Sequence, residues 1–345
     1  MFLLMSFAGV FILMFFGYIL TGSIRRYAIS RNIIDMPNAR SSHSVPTPRG
    51  GGIAIVIVYL VWLVLGYCWG NVPFYILVGI GGAGAGIAVL GFFDDRGHVA
   101  ARWRLLGHFA AAVWVLVWLD GMPNFWLFGS SFAPGWFGQI IGALYLVWLL
   151  NLYNFMDGID GLASIEAICV CIGGVLLIIL DNSVAIKTQW WPLTALAAAV
   201  AGFLFWNFPP AKIFMGDAGS GFLGIVLATF SLQSAWTEPR WLWSWLILLG
   251  VFIVDSTFTL LRRLLRGERV YEAHRSHAYQ YASRHYGHHL PITIAVLLIN
   301  VFWLIPLALC AGLGLLDGLV SLVLAYSPLL LLAVRFRAGA LERAA

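Results

Sequence analysis

Residues 151–161 read Asn-Leu-Tyr-Asn-Phe-Met-Asp-Gly-Ile-Asp-Gly, and residues 162–180 continue Leu-Ala-Ser-Ile-Glu-Ala-Ile-Cys-Val-Cys-Ile-Gly-Gly-Val-Leu-Leu-Ile-Ile-Leu. The second stretch carries one charge, Glu166, in a run long enough to cross a bilayer core, which takes about 20 apolar residues. Working outward, similar runs recur at about eleven places: 3–22, 52–70, 72–92, 105–119, 137–152, 162–180, 191–206, 219–235, 241–261, 290–312 and 317–334. In lipid, backbone polar groups must be bonded within the segment, so such runs are helices. The predicted fold class is an all-α polytopic membrane protein of about 10–11 helices, forming one integral-membrane domain over 1–345. The first run has no cleavage pattern after Thr21-Gly22-Ser23 and turns basic at Arg25 and Arg26. It reads as a retained helix rather than a removed signal peptide.

Composition agrees. Of the 345 residues, 61% are hydrophobic and 10% charged, against roughly 45–50% and 25% in a soluble domain. Disordered, collagenous and small disulfide-scaffold classes are excluded. Cys68, Cys169, Cys171 and Cys310 lie in apolar runs without a CxxC spacing, which predicts buried bystanders rather than a disulfide or zinc framework.

The net charge of +5 invites a nucleic-acid reading, but its placement points to the lipid bilayer, with no nucleic-acid partner. All basic residues except Lys187 and Arg240 fall in loops 23–51, 93–104, 153–161, 207–218, 262–289 or the tail 335–345. The positive-inside rule puts these loops in the cytoplasm, with the N-terminus periplasmic and the C-terminus cytoplasmic. Asp94, Asp95, Asp157, Asp160, Asp217 and most histidines sort to the same side. A transporter would carry ionisable groups near mid-membrane; here the span centres are nearly free of them. The pattern suggests an enzyme at the cytoplasmic membrane surface.

Five units carry the chemistry. Phe93-Asp94-Asp95-Arg96 places two adjacent carboxylates at a helix end. Asn151, Asn154, Asp157 and Asp160 recur in steps of three, which predicts one polar stripe on a helix. Such a stripe suits a sugar, a uridine or a metal-bound phosphate. Asn207 to Ser220 brings a Pro-Pro break, Lys212 and Asp217 before a helix starting near Gly219. Its first N–H groups suit an anion and Asp217 suits a hard cation. Glu272 to Gln280, with His274, Arg275 and His277, suits a pyrophosphate. Arg40 to Gly52 is a turn-rich loop with His43 and Arg49. Gly79, Gly81, Gly82, Gly84 and Gly86 mimic a dinucleotide loop but lie in an apolar span, and read as small-residue packing. Trp241, Trp243 and Trp245 read as interfacial anchors.

These motifs, in this order, resemble the polyprenyl-phosphate N-acetylhexosamine-1-phosphate transferases of the WecA and MraY type, over about residues 30–290. Among bacterial members the chain is most similar to those that start O-antigen synthesis. The resemblance implies transfer of a sugar-1-phosphate from a UDP-N-acetylated sugar to undecaprenyl phosphate at the bacterial inner membrane, releasing UMP, with Mg²⁺ (or Mn²⁺) as cofactor. It leaves a homodimer open. It implies Asp217 as the metal ligand and Asp94 and Asp95 as the catalytic acidic pair, which deprotonates or positions the lipid phosphate or, in a two-step scheme, supplies a covalent nucleophile. Asn154, Asp157 and Asp160 match the family's nucleotide-sugar and catalytic stripe, and Asn207 a nucleotide contact. Arg102 and Arg104 fall where the family has a basic residue after the acidic pair. The chain departs from the family's tight histidine cluster, since only His277 of His274-Arg275-Ser276-His277 aligns. Ser44, beside His43, replaces the basic residue that muramyl-pentapeptide enzymes carry before Thr-Pro. A CDP-alcohol phosphotransferase is a competing class, but Asp157-Gly158-Ile159-Asp160-Gly161 does not continue as its signature requires. A flippase of lipid-linked sugars is the non-enzymatic alternative.

Overall fold

The computed structural model describes residues 2–37, 42–43, 45–97, 99–181, 190–268 and 274–341. Arg40, Ser44, Lys187 and Glu272, named above, lie outside these. The described residues form thirteen helices: α1 (Phe2–Ser30), α2 (Ile53–Cys68), α3 (Phe74–Gly97), α4 (Ala101–Trp118), α5 (Phe137–Met156), α6 (Leu162–Leu180), α7 (Trp190–Asn207), α8 (Asp217–Thr237), α9 (Trp241–Leu248), α10 (Gly250–Leu265), α11 (Ala278–Tyr286), α12 (Leu290–Gly312) and α13 (Gly318–Arg335). Strands are confined to two short antiparallel pairs: β1 (Ile34–Asp35) with β2 (Thr47–Pro48), and β3 (Phe125–Leu127) with β4 (Ser130–Phe132). The all-α polytopic expectation holds.

A helix lies at each of the eleven apolar runs. Seven helices are long and apolar enough to cross a membrane, or eight if a bent pair counts as one. Three of the departures, at α2, at α4 and at the bent pair, have local causes. Helix α2 has only 16 residues, and α4 carries Arg102 and Arg104 in its first turn. The expected single span 241–261 is broken, α9 and α10 meeting at a 70° bend. That bend corrects a second expectation. Trp241 and Trp245 are not interfacial anchors but core residues, 1% and 0% exposed, because α9 tucks between α6, α12 and α13.

Helix α8 is the axis of the bundle, almost wholly buried against α3 and α5. Small residues permit this. A Cβ on Gly91 of α3 would stand 2.5 Å from the Asp217 carbonyl and Ala218 nitrogen at the start of α8. Only a glycine lets the two helix ends touch, as in close-packed membrane helices. The glycine run of α3 packs likewise, Gly79 on Trp118, Gly82 on Trp114 and Gly84 on Phe222. The cysteines are free; Cys169 and Cys171 are buried, whereas Cys68 is exposed and Cys310 only partly buried.

The loops assigned to one side meet at one end of the bundle. The Nε of Arg25 donates to the Lys212 carbonyl at 3.1 Å, and Arg262 donates to the Ala338 carbonyl at 3.1 Å. The opposite end is tied separately, Trp243 donating to the Trp126 carbonyl at 2.6 Å and Trp236 to that of Gly121 at 3.2 Å.

Candidate active site

The site is built on three helix ends: the last turns of α3 and α5 and the first turn of α8. Gly216 at φ 80°, a left-handed conformation that glycine takes without strain, turns the chain so that α8 begins at Asp217. The freed N–H groups of a helix start attract a negative charge. Here the anion is the chain's own Asp95, which accepts from the backbone nitrogens of Asp217 at 3.0 Å and Ala218 at 3.4 Å. The expectation of a ligand anion at this helix start is therefore corrected: Asp95 occupies it, and the helix starts two residues earlier than expected.

Arg49 stands between the carboxylates of Asp95 and Asp217, at 2.8 and 3.0 Å. Asp94 is held from the other side, accepting from the Val99 nitrogen and from Arg104, each at 2.7 Å. The Asn154 amide donates to Asp217 at 3.2 Å and to the Ser220 hydroxyl at 3.0 Å. The regular stripe is corrected in part. Helix α5 ends at Met156, and Asp157 leaves it with φ −82° and ψ 52°. Burial pushes the Asp157 carboxyl well above the usual carboxylate range; the Asp217 charge adds to this, and Arg49 opposes it.

Four carboxylates, Asp94, Asp95, Asp157 and Asp217, thus face two guanidiniums, Arg49 and Arg104. No three His, Cys, Asp or Glu among the described residues stand close enough to chelate a metal unaided. Mg²⁺ commonly keeps several waters and takes one or two carboxylates plus substrate phosphates rather than an all-protein cage. The oxygen-only donor set fits such an ion.

Two cavities flank this cluster. The first, about 310 Å³, has walls from Ile87, Leu90, Leu105 and Leu150, with Arg102, Arg104, His108 and Asn151 on its polar side. The second, about 200 Å³ and mainly polar, is lined by His43, Arg49, Asp157, Asp160, Asn207 and His289 among others. Asn154 and Asp217 line both.

Other expected residues lie elsewhere or do other work. Asn207 bridges two loops, accepting from the Gly161 nitrogen and donating to the Ile213 carbonyl, both at 3.0 Å. Asn151 also donates to the Val147 carbonyl at 2.6 Å. Lys212 lies over the Trp206 ring, and no described contact brings it to the carboxylates. His277 is buried beside Asp255 and caps α11. Burial, helped by His277 and Arg263, pushes the His274 imidazole down to about 3. Arg275 offers its carbonyl to Arg284 at 3.1 Å. Among the described residues, the contacts of His274 and His277 run to Ser276, Asp255 and one another rather than to the carboxylate cluster. Missed at the site were Asp35, Phe214, Gln280 and His289, all on the polar cavity, and His108 on the apolar one. Phe214 and Gln280 fell inside two of the five units and His289 closes a histidine-rich stretch, but its partner Asp160 is 129 residues away.

A helical membrane bundle with a carboxylate-rich site at one end, set between an apolar and a polar cavity, is the class of protein that fold and site define. The glycosyl transferase family 4 model matches residues 76–235. The chain is 32% identical over 272 residues to a Bacillus subtilis (strain 168) protein named "Probable undecaprenyl-phosphate N-acetylglucosaminyl 1-phosphate transferase", covering 75% of this chain and 72% of that one. A Thermotoga maritima "Undecaprenyl-phosphate alpha-N-acetylglucosaminyl 1-phosphate transferase" is 27% identical over 292 residues, covering 85% and 87%. A Chlamydia pneumoniae "Phospho-N-acetylmuramoyl-pentapeptide-transferase" is 27% identical over 296 residues, covering 77% and 79%. The chain belongs to glycosyl transferase family 4, among the polyprenyl-phosphate N-acetylhexosamine-1-phosphate transferases.

Proposed function

We propose that the protein transfers N-acetylhexosamine-1-phosphate from a UDP-sugar to undecaprenyl phosphate, starting a surface polysaccharide of the O-antigen kind. The observation that carries this reading is the shared wall. An apolar cavity with an arginine rim suits a phosphate on a lipid tail, a polar cavity suits a nucleotide diphosphate, and Asn154 and Asp217 separate them. The two substrates then meet only at that wall. An oxygen of the lipid phosphate bonds to the sugar-bearing phosphorus of the donor. The bond from that phosphorus to the bridging oxygen breaks, and UMP leaves with that oxygen.

Arg102 and Arg104 hold the lipid phosphate, and the Arg104–Asp94 pair fixes the guanidinium in place. Asp94 and Asp95 are the catalytic pair. Asp94 lies nearer the lipid phosphate, while Asp95 steadies the start of α8 and with it Asp217. Arg49, His43 and Asn154 hold the donor phosphates and sugar, and Asp157 and Asp160 close the cavity around them. Mg²⁺, held by Asp217, would neutralise phosphate charge that the protein's arginines leave unbalanced. The cytoplasmic face of a bacterial inner membrane suits a soluble anionic donor and a lipid acceptor, and the basic loops support that orientation.

UMP release tests the reading. Purified protein is given undecaprenyl phosphate, Mg²⁺ and UDP-N-acetylhexosamines one at a time. UMP formed only with lipid and Mg²⁺ together is the expected result, and the best donor names the sugar. Folded protein that releases no UMP with any donor overturns it.

A further inference from the structure

His289 stands at the start of α12 and is tied on both ring nitrogens. Its Nδ1 lies 3.1 Å from Asp160 Oδ1 and 3.3 Å from the Asp160 backbone nitrogen. Its Nε2 lies 2.9 Å from the Ser42 carbonyl. The Ser42 carbonyl can only accept, so Nε2 carries a proton; Nδ1 accepts from the Asp160 N–H in the neutral ring and donates to the Asp160 carboxylate in the protonated one. Burial works against that charge, but the Asp160 carboxylate outweighs it and holds the imidazolium above its ordinary range. One turn on, the Thr293 hydroxyl donates to the Asp160 carbonyl at 2.8 Å. Residues four apart share a helix face, so the first turn of α12 grips Asp160 by side chain and backbone together.

Asp160 is thereby occupied. Oδ1 faces His289, and Oδ2 accepts from the Ala211 nitrogen at 3.0 Å. The next residue, Gly161, is held by Asn207. His289 therefore joins three segments that share no helix: the loop around Ser42 and His43, the loop 157–161, and, through Asp160, the turn at Ala211. All three border the polar cavity or the larger cavity, about 680 Å³, that adjoins it.

Resting on the function proposed above, we infer that His289 is a positioning residue for the donor nucleotide: it acts through Asp160 and Ser42 to keep the polar cavity preformed, and it takes no part in the phosphoryl transfer. A preformed cavity avoids the ordering cost of binding. Loss of the link is therefore felt in donor binding and not in the chemical step.

The test measures UMP binding by calorimetry and steady-state kinetics for wild type, His289→Leu, His289→Asn, Asp160→Asn and the His289→Leu/Asp160→Asn double variant, with thermal midpoints as the folding control. His289→Leu is expected to weaken UMP and raise the donor KM about tenfold, with kcat and the lipid KM within about twofold, the scale of a lost charged hydrogen bond. His289→Asn keeps a donor near Asp160 and recovers part of the loss; it also serves if the leucine variant does not fold. The double variant is no worse than Asp160→Asn alone, because residues acting as one unit are not additive. Wild-type UMP affinity in both His289 variants, a fall in kcat at unchanged donor KM, or full additivity overturns the inference. Wild-type protein that neither binds UMP nor turns over overturns the proposed function itself, which is a separate result.

Discussion

Asp217 opens α8 and Asp255 lies inside α10 against the start of α11, and the surroundings of these two aspartates differ sharply. Asp255 accepts from the Ala278 nitrogen at 2.9 Å, the Tyr279 nitrogen at 3.0 Å, Thr259 Oγ1 at 3.2 Å and His277 Nδ1 at 3.3 Å. Its charge is spent on the start of α11. Asp217 has Arg49 and Asn154 as donors but shares its neighbourhood with three further carboxylates. One site is electrostatically closed by the protein; the other is left short of positive charge. A carboxylate satisfied by backbone donors builds structure, whereas one crowded by its own kind awaits a cation or an anionic substrate carrying one.

Substitution can break this contrast, and the largest effect belongs to the open site. Asp217→Asn is expected to cut UMP release by about 10²–10³ or more, the scale of losing a preorganised charge contact, with an unchanged thermal midpoint. Near-normal turnover would remove the distinction. Arg104→Ala frees the Asp94 carboxylate and removes a cation from the apolar cavity. The expected outcome is a rise of about tenfold in the KM for undecaprenyl phosphate with the donor KM unchanged, the low end for a charged hydrogen bond because the guanidinium is partly exposed. Asp255→Asn tests the closed site: stability falls by about 1–3 kcal/mol, read as a lower thermal midpoint, while kcat per folded molecule holds. A selective loss of kcat would show that Asp255 also serves the reaction.

The smallest effect concerns pH. The folded pKa of Asp157 is raised by burial, so the native state keeps a proton that the unfolded chain has lost. Stability therefore declines as pH rises from the ordinary carboxylate range toward the folded value. Asp157→Asn is expected to raise the thermal midpoint modestly at neutral pH and to flatten that decline in metal-free protein. A variant as pH-sensitive as wild type would place the charge stress elsewhere.

Much of this was legible in the chain. The apolar runs predicted the helices, because lipid leaves the backbone no other partner, and a run of apolar residues is a local signal. The aspartates and Asn154 were marked by their crowding at span ends. The packing of His277 was not legible for a physical reason. His277 looks like a ligand-binding group in sequence, yet Asp255, 22 residues earlier, claims it as a cap. The Trp241–Trp245 stretch failed similarly, because a bend after Leu248 turned an expected surface segment into core.

By itself the sequence determined the class of fold, the side of the bundle that carries the chemistry, and the residue types gathered there. These follow from composition and short-range periodicity, which act within a single helix. Only the tertiary structure decided which anion sits at the start of α8, which histidine is structural, and that His289 meets Asp160 and Ser42. It also decided that Asn154 and Asp217 form a wall common to two cavities. Those outcomes depend on the approach of segments far apart in the chain, set by glycine contacts such as Gly91 on α8, and no local pattern encodes them.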